Sequence, residues 1–138
     1  MGLTLIDAGV LIGFLDSNDS HHLAARSALV GARNRGDQLA IPASAFAEAL
    51  VSPSRAGEAA ARSVRDFADR LPLVISALDA EIAVVAASLR AKHGQRLPLP
   101  DALAVATAIH MEADVLITTD RNWPTKRVLG FRGSLINL

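Results

Sequence analysis

The chain is predicted to fold as an α/β domain around a mainly parallel sheet of five strands. Two observations carry that prediction. Short apolar runs alternate with longer stretches of helical periodicity, the order that builds parallel strands joined by helices. Each run is flanked by Gly, Pro, Asp or Asn, the residues that end strands and open turns. No repeat, low-complexity tract or linker interrupts the 138 residues, so one domain spanning residues 1–138 is expected.

Taken in order, strands are expected at Leu3–Asp7, Gln38–Ile41, Leu73–Ser76, Val115–Thr118 and Arg127–Gly130. Helices are expected over His21–Arg35, Ser44–Val51 and Arg55–Arg70. The clearest helix runs from Asp79 to His93, where Ile82, Val85, Ala86 and Leu89 recur at helical spacing and turn one stripe toward the sheet. Its acids Asp79 and Glu81 open it, Lys92 and His93 close it in accord with the helix dipole, and Gly94 supplies a left-handed stop. A last helix is expected from Asp101 to near Glu112. Phe14, Phe46 and Phe67 read as core, and Trp123 as packing over the sheet end, with a place near the site as the alternative.

Composition narrows the function classes. There is no cysteine, which excludes disulfides and thiolate metal sites. No apolar run approaches the ~20 residues needed to cross a bilayer. The opening Met1–Asp7 has no basic stretch and soon meets a carboxylate, so no secretory signal and a cytoplasmic location are expected. Fourteen acids balance fourteen bases, and twelve of those bases are Arg, whose planar fork suits phosphate. Four acids engaged with metal would leave an excess of four positive charges.

Four carboxylates stand out by position. Asp7 follows the first apolar run and Asp120 follows Val115-Leu116-Ile117-Thr118-Thr119, so each lies at the carboxyl end of a strand, where parallel sheets bind ligands. Asp101 follows Leu97-Pro98-Leu99-Pro100, in which each proline keeps its predecessor extended until the helix begins. Alone, Asp101 reads as a helix N-cap. Glu48 lies early in the helix after the second strand, on the side shared by Ser44 and Ser52 and opposite Phe46 and Leu50. Alone, it reads as a solvated position. Together the four come from separate elements near strand ends, and like charges so gathered repel unless a cation neutralises them. All-oxygen ligands suit Mg2+ or Mn2+ rather than zinc, and such a pocket fits phosphodiester hydrolysis. The four histidines add little: His21 and His22 open a helix, His93 closes one, and His110 is expected partly buried.

The segments Leu5–Ile12, Pro42–Glu48, Leu99–Ala108 and Leu116–Trp123, in this order, resemble the PIN-domain ribonucleases, specifically the VapC toxins of bacterial and archaeal toxin–antitoxin pairs. The resemblance spans nearly the whole chain. It implies a three-layer, Rossmann-like α/β/α fold with strand order 3-2-1-4-5 and an acidic centre of Asp7, Glu48, Asp101 and Asp120. Asp7, Asp101 and Asp120 would hold Mg2+ or Mn2+, with Glu48 binding metal, directly or through water. Thr118 matches the threonine of the family's T-x-D pattern and would support the pocket. Ala8 and Gly9 stand where relatives often carry hydroxyls, and Asn122 stands, as a supporting residue, where many carry a further acid.

The implied activity is endoribonuclease cleavage to 5′-phosphate and 3′-hydroxyl ends, inhibiting translation and growth. The implied partners are RNA, a VapB-type antitoxin presenting a peptide to the acidic groove, and a second copy of the chain in a homodimer and toxin–antitoxin hetero-oligomer; no membrane is implied. With no Tyr and one Trp, RNA would be held through phosphate contacts rather than an aromatic platform. The alternative is a catalytically weak RNA-binding or scaffold protein on the same fold. A phosphoacceptor signalling domain fails on residues, since Ala8 follows Asp7 and Ser76 ends the third strand. Neither G-x-G-x-x-G nor a P-loop is present, which disfavours nucleotide-binding enzymes.

Overall fold

The computed structural model describes residues 2–138. Its sheet has five parallel strands, β1 (Leu3–Ile6), β2 (Gln38–Pro42), β3 (Leu73–Ser76), β4 (Val115–Thr118) and β5 (Ser134–Asn137), in the order β3-β2-β1-β4-β5. Strand order reverses at β1, whose neighbours are β2 and β4. That switch point leaves the crevice in which parallel sheets place ligands.

Seven α-helices connect or follow these strands among the described residues. They are α1 (Ala8–Leu15), α2 (His22–Asn34), α3 (Ala43–Ala56), α4 (Glu58–Arg70), α5 (Ala80–His93), α6 (Leu99–His110) and α7 (Lys126–Leu129). A 3₁₀ turn, Gly94–Arg96, joins α5 to α6. The pleat divides the core in two. Leu5, Ala40 and Leu116 face α5 and α6, together with Trp123 and Phe131. Ile6, Leu39, Ile41 and Ile117 face α1 to α4. Phe14 and Phe67 meet on that second face with ring centroids 5.2 Å apart, and Phe46 packs there too, as expected of core aromatics. No helix is long and apolar enough to cross a membrane among the described residues.

Three expectations are corrected. The apolar stretch Ala8–Leu15 carries two glycines, poor helix formers, and its helix was not foreseen. Burial of Ala8, Val10, Leu11 and Gly13 overrides that weak propensity. The strand expected at Arg127–Gly130 is instead the short helix α7, closed by Gly130 in the left-handed region (φ 76°) and by Phe131 N donating to Lys126 O at 3.0 Å. The fifth strand lies further on, at Ser134–Asn137, an edge strand with little burial to mark it. Finally, α6 starts two residues before Asp101. Pro98 occupies the N-cap position with Pro100 in the first turn, where a missing N–H does no harm.

At the amino edge of the sheet the acids are fully engaged. Asp37 accepts from Gly2 N at 3.2 Å, Thr4 Oγ1 at 2.9 Å and Arg35 Nη2 at 3.0 Å, and Asp114 Oδ2 accepts from Leu3 N at 2.8 Å. The Thr4 hydroxyl, ahead of the Arg35 and Gly2 contacts, holds the Asp37 carboxyl below its ordinary value of 3.8. A lowered folded-state pKa gives stability that is present above 3.8 and is lost as pH falls through the folded value. Asp37→Asn should therefore lower the melting temperature at pH 7, with the gap to wild type closing in strong acid. An unchanged melting temperature at pH 7 would remove this clamp from the account.

Candidate active site

The opposite edge of the sheet is built differently. Asp7 leaves β1 with its amide donating to Ile117 O at 3.0 Å, and then serves as the N-cap of α1, its Oδ1 accepting from Ala8 N at 2.7 Å. Its other oxygen accepts from Thr118 Oγ1 at 3.0 Å. That hydroxyl in turn accepts from Asp120 N at 3.1 Å. Thr118, fully buried at the end of β4, thus ties the first aspartate to the last.

Asp120 is fixed from three sides. Besides the Thr118 contact, its Oδ1 accepts from Asn122 N at 2.8 Å, and its carbonyl accepts from Asn137 Nδ2 at 2.6 Å. Asn122 therefore contacts Asp120 through its main chain, while the residue is exposed. Asn137 lies on the strand that sequence periodicity misplaced. Only the register that sets Thr118 opposite Asn137 reveals it.

Asp101 is the third residue of α6 rather than its cap, and this frees its side chain to face the strand ends. Alanines 102, 104, 106 and 108 are all buried, and their small size lets the helix lie close on the sheet. Burial, ahead of the neighbouring Asp7 charge, pushes the Asp101 carboxyl up to about 6 from an ordinary 3.8. The Asp120 carboxylate adjoins it and raises it further, whereas the Trp123 indole pulls it down. Trp123 Nε1 is buried without a well-formed hydrogen bond. Its indole thus lies beside Asp101 as well as packing over the sheet end.

Glu48 reaches in from α3, which packs against α6. The residue is largely exposed, yet protein around its carboxyl end and the charge of Asp101 both raise its pKa. Asp7 is likewise raised, by burial first, against the Ala8 and Thr118 hydrogen bonds, and then by Glu48 and Asp120. Asp7 and Asp101 thus lie within electrostatic range of each other and of both Glu48 and Asp120. None takes part in an ion pair among the described residues. They are not drawn into a finished cage: no three His, Asp or Glu side chains among the described residues stand close enough to enclose a metal ion. The donor set, all oxygen and short of positive partners, suits a hard divalent cation.

Beside Glu48 an apolar cavity of 530 Å³ opens between α1, α3 and α4, lined by Ile12, Leu15, Ala49, Pro53 and Val64. A larger cavity of 690 Å³ lies at the other end of the sheet near Asp114, Lys126 and Arg132, away from the four acids. His110 lies in the last turn of α6 but is exposed, not partly buried, with its ring nitrogens 3.7 Å from Asp79 and 3.6 Å from Glu81.

An open parallel α/β domain with an acidic centre at its switch point defines the class. Residues 4–128 match the model of the PIN domain, and the chain belongs to that family. No curated protein is significantly similar to it in sequence. Among solved structures, the fold is similar to a chain of VapBC2 from Rickettsia felis bound to a promoter DNA fragment (TM-score 0.67, 18% identity, covering 99% of this chain and 98% of that one). It is also similar to VapC20 from Mycobacterium tuberculosis, a toxin that cleaves the sarcin–ricin loop (TM-score 0.64, 16% identity, 82% and 86% covered). A toxin–antitoxin complex from Klebsiella pneumoniae contains a third such chain (TM-score 0.60, 22% identity, 88% and 96% covered).

The raised Asp101 value fixes a sign. A carboxyl whose folded-state pKa is raised favours folding below 3.8, and that contribution is lost as pH rises through about 6. In chelator-treated protein at pH 7.5, Asp101→Asn should stabilise the fold by about 1 kcal/mol, allowing for solvent screening of a half-buried group. The gain should vanish below pH 3.8. Urea unfolding at the two pH values checks this, and a destabilised variant at pH 7.5 contradicts it.

Proposed function

We propose that the chain is a divalent-metal-dependent endoribonuclease and the toxin of a toxin–antitoxin pair. The observation that carries this reading is the meeting of four unpaired carboxylates from four elements at the switch point of a PIN domain. Asp7, Asp101 and Asp120 would hold Mg2+ or Mn2+, and Glu48 would bind it directly or through water. Such a cation supplies charge neutralisation, polarisation of the scissile phosphodiester and acidification of water.

The chain's own residues do the rest. Thr118 orients Asp7 and Asp120 together, and the Asn122 and Asn137 contacts hold the Asp120 loop still. Glu48, exposed at the rim with a raised pKa, is suited to accept a proton from attacking water and to orient it. In-line attack on phosphorus would leave 5′-phosphate and 3′-hydroxyl ends. Arg96, whose Nε donates to Asn122 O at 3.4 Å, and the exposed Arg121 stand beside the Asp120 loop and suit the RNA backbone.

The likeness to toxin chains solved with their antitoxins supports a VapB-type partner. The apolar cavity adjoining Glu48 offers that partner a groove leading to the acids. A homodimer and a toxin–antitoxin hetero-oligomer complete the proposed assembly. One observation favours the weaker reading, an RNA-binding or scaffold protein: the acids are spread more widely than a finished metal cage.

RNA cleavage decides between them. After induced expression, new 5′-phosphate ends should appear in cellular RNA, and Asp7→Asn should reduce them by at least about 100-fold, beyond the usual effect of residues that merely orient ligands. Purified protein should lose cleavage in chelator and regain it with Mn2+. Equal cleavage by a folded Asp7→Asn chain would exclude the mechanism.

A further inference from the structure

One contact at the site is tighter than its neighbours. Gly9 is the second residue of α1, two positions after Asp7, and Thr119 immediately precedes Asp120. A β-carbon on Gly9 would overlap the Thr119 hydroxyl and would lie 3.3 Å from both Thr119 Cβ and Cγ2. The Thr119 side chain therefore fills the volume that any other residue at position 9 would need. Glycine is a poor helix former, and this close approach gives its place in the first turn of α1 a reason.

Rotation of Thr119 relieves that overlap only in part. Its χ1 wells exchange Oγ1, Cγ2 and hydrogen but leave Cβ where it is. The remaining pressure falls on the main chain at Thr119 and Asp120. Thr118 Oγ1 binds Asp7 on one side and the Asp120 amide on the other, so movement there changes how Asp7 and Asp120 face each other.

Resting on the metal-dependent reading above, we propose that Gly9 and Thr119 are a size-matched pair of positioning residues that sets the separation of Asp7 and Asp120 and so the affinity for the cation they share. Neither residue needs to touch the cation. Thr119 works as a spacer between the β4 end and the first turn of α1, and Gly9 provides its seat.

Calorimetric titration with Mn2+ alone, on the full chain with melting temperatures measured in parallel, tests the pair. Gly9→Ala should weaken Mn2+ binding about tenfold or more, the range seen when groups that orient ligands are lost. Adding Thr119→Ala to it should return the affinity to within about threefold of wild type, the mark of two coupled neighbours. Thr119→Ser keeps the hydroxyl and should bind as wild type does. Thr119→Ala alone, which removes the spacer without adding bulk, should bind about threefold or more weakly; it gives the answer should Gly9→Ala fail to fold. Unchanged affinity in Gly9→Ala, or effects that simply add in the double variant, overturn the pairing while wild-type binding stands. A wild-type chain that takes up no Mn2+ removes the metal-dependent reading, and the pairing with it.

Discussion

Repulsion among carboxylates governs this structure. The fold brings Asp7, Asp101, Asp120 and Glu48 to one edge of the sheet and gives none of them a basic partner among the described residues. Burial and mutual charge raise Asp7, Glu48 and Asp101, with Asp101 at about 6. Such a site opposes the stability of the domain that houses it, as functional sites often do. The amino edge makes the contrast plain. There Asp37 receives the Gly2 amide, the Thr4 hydroxyl and the Arg35 guanidinium, and its pKa falls. One sheet therefore carries an acid paired with a cation at one end and acids without a basic partner at the other.

The scaffold meets that demand with rigidity close to the charges. Two fully buried strand residues, Ile117 and Thr118, receive the Asp7 amide and hold its carboxylate. On the α6 side, small buried alanines allow the helix to lie near the sheet, so that Asp101 projects beyond the strand ends. Four bonds to or from the Asp120–Asn122 segment, from Thr118, Asn122, Asn137 and Arg96, restrain a loop that would otherwise swing away from its like-charged neighbours. Position is thus set by packing and by hydrogen bonds that bring no cationic group to the carboxylates. The charge of the site stays available for a cation.

Much of this was readable from residue order. Strands β3 and β4 fall where the apolar runs place them, β1 and β2 within a residue at one end, and Asp79 caps α5 through Ile82 N at 2.9 Å. Asp7 and Asp120 were legible because a strand followed by an acid places that acid at the carboxyl edge. Glu48 and Asp101 were not legible alone, since a solvated helix face and an N-cap explain the same residues. Their common placement near strand ends joined them to the other two, and the family pattern agreed. What escaped was set by tertiary contact: α1 despite its glycines, β5 at an exposed edge, Asn137 through strand register, and the fit of Thr119 on Gly9. Periodicity carries no signal for such pairings, because each depends on residues distant in the chain.

The central claim is that these acids share a cation, and anomalous scattering from crystals grown with Mn2+ tests it most directly. A manganese peak should appear between Asp7, Asp101 and Asp120, at roughly 2.0–2.3 Å from carboxylate oxygens of at least two of them. Crystals at millimolar Mn2+ with no peak at this edge, and with the carboxylates still apart, would contradict the account.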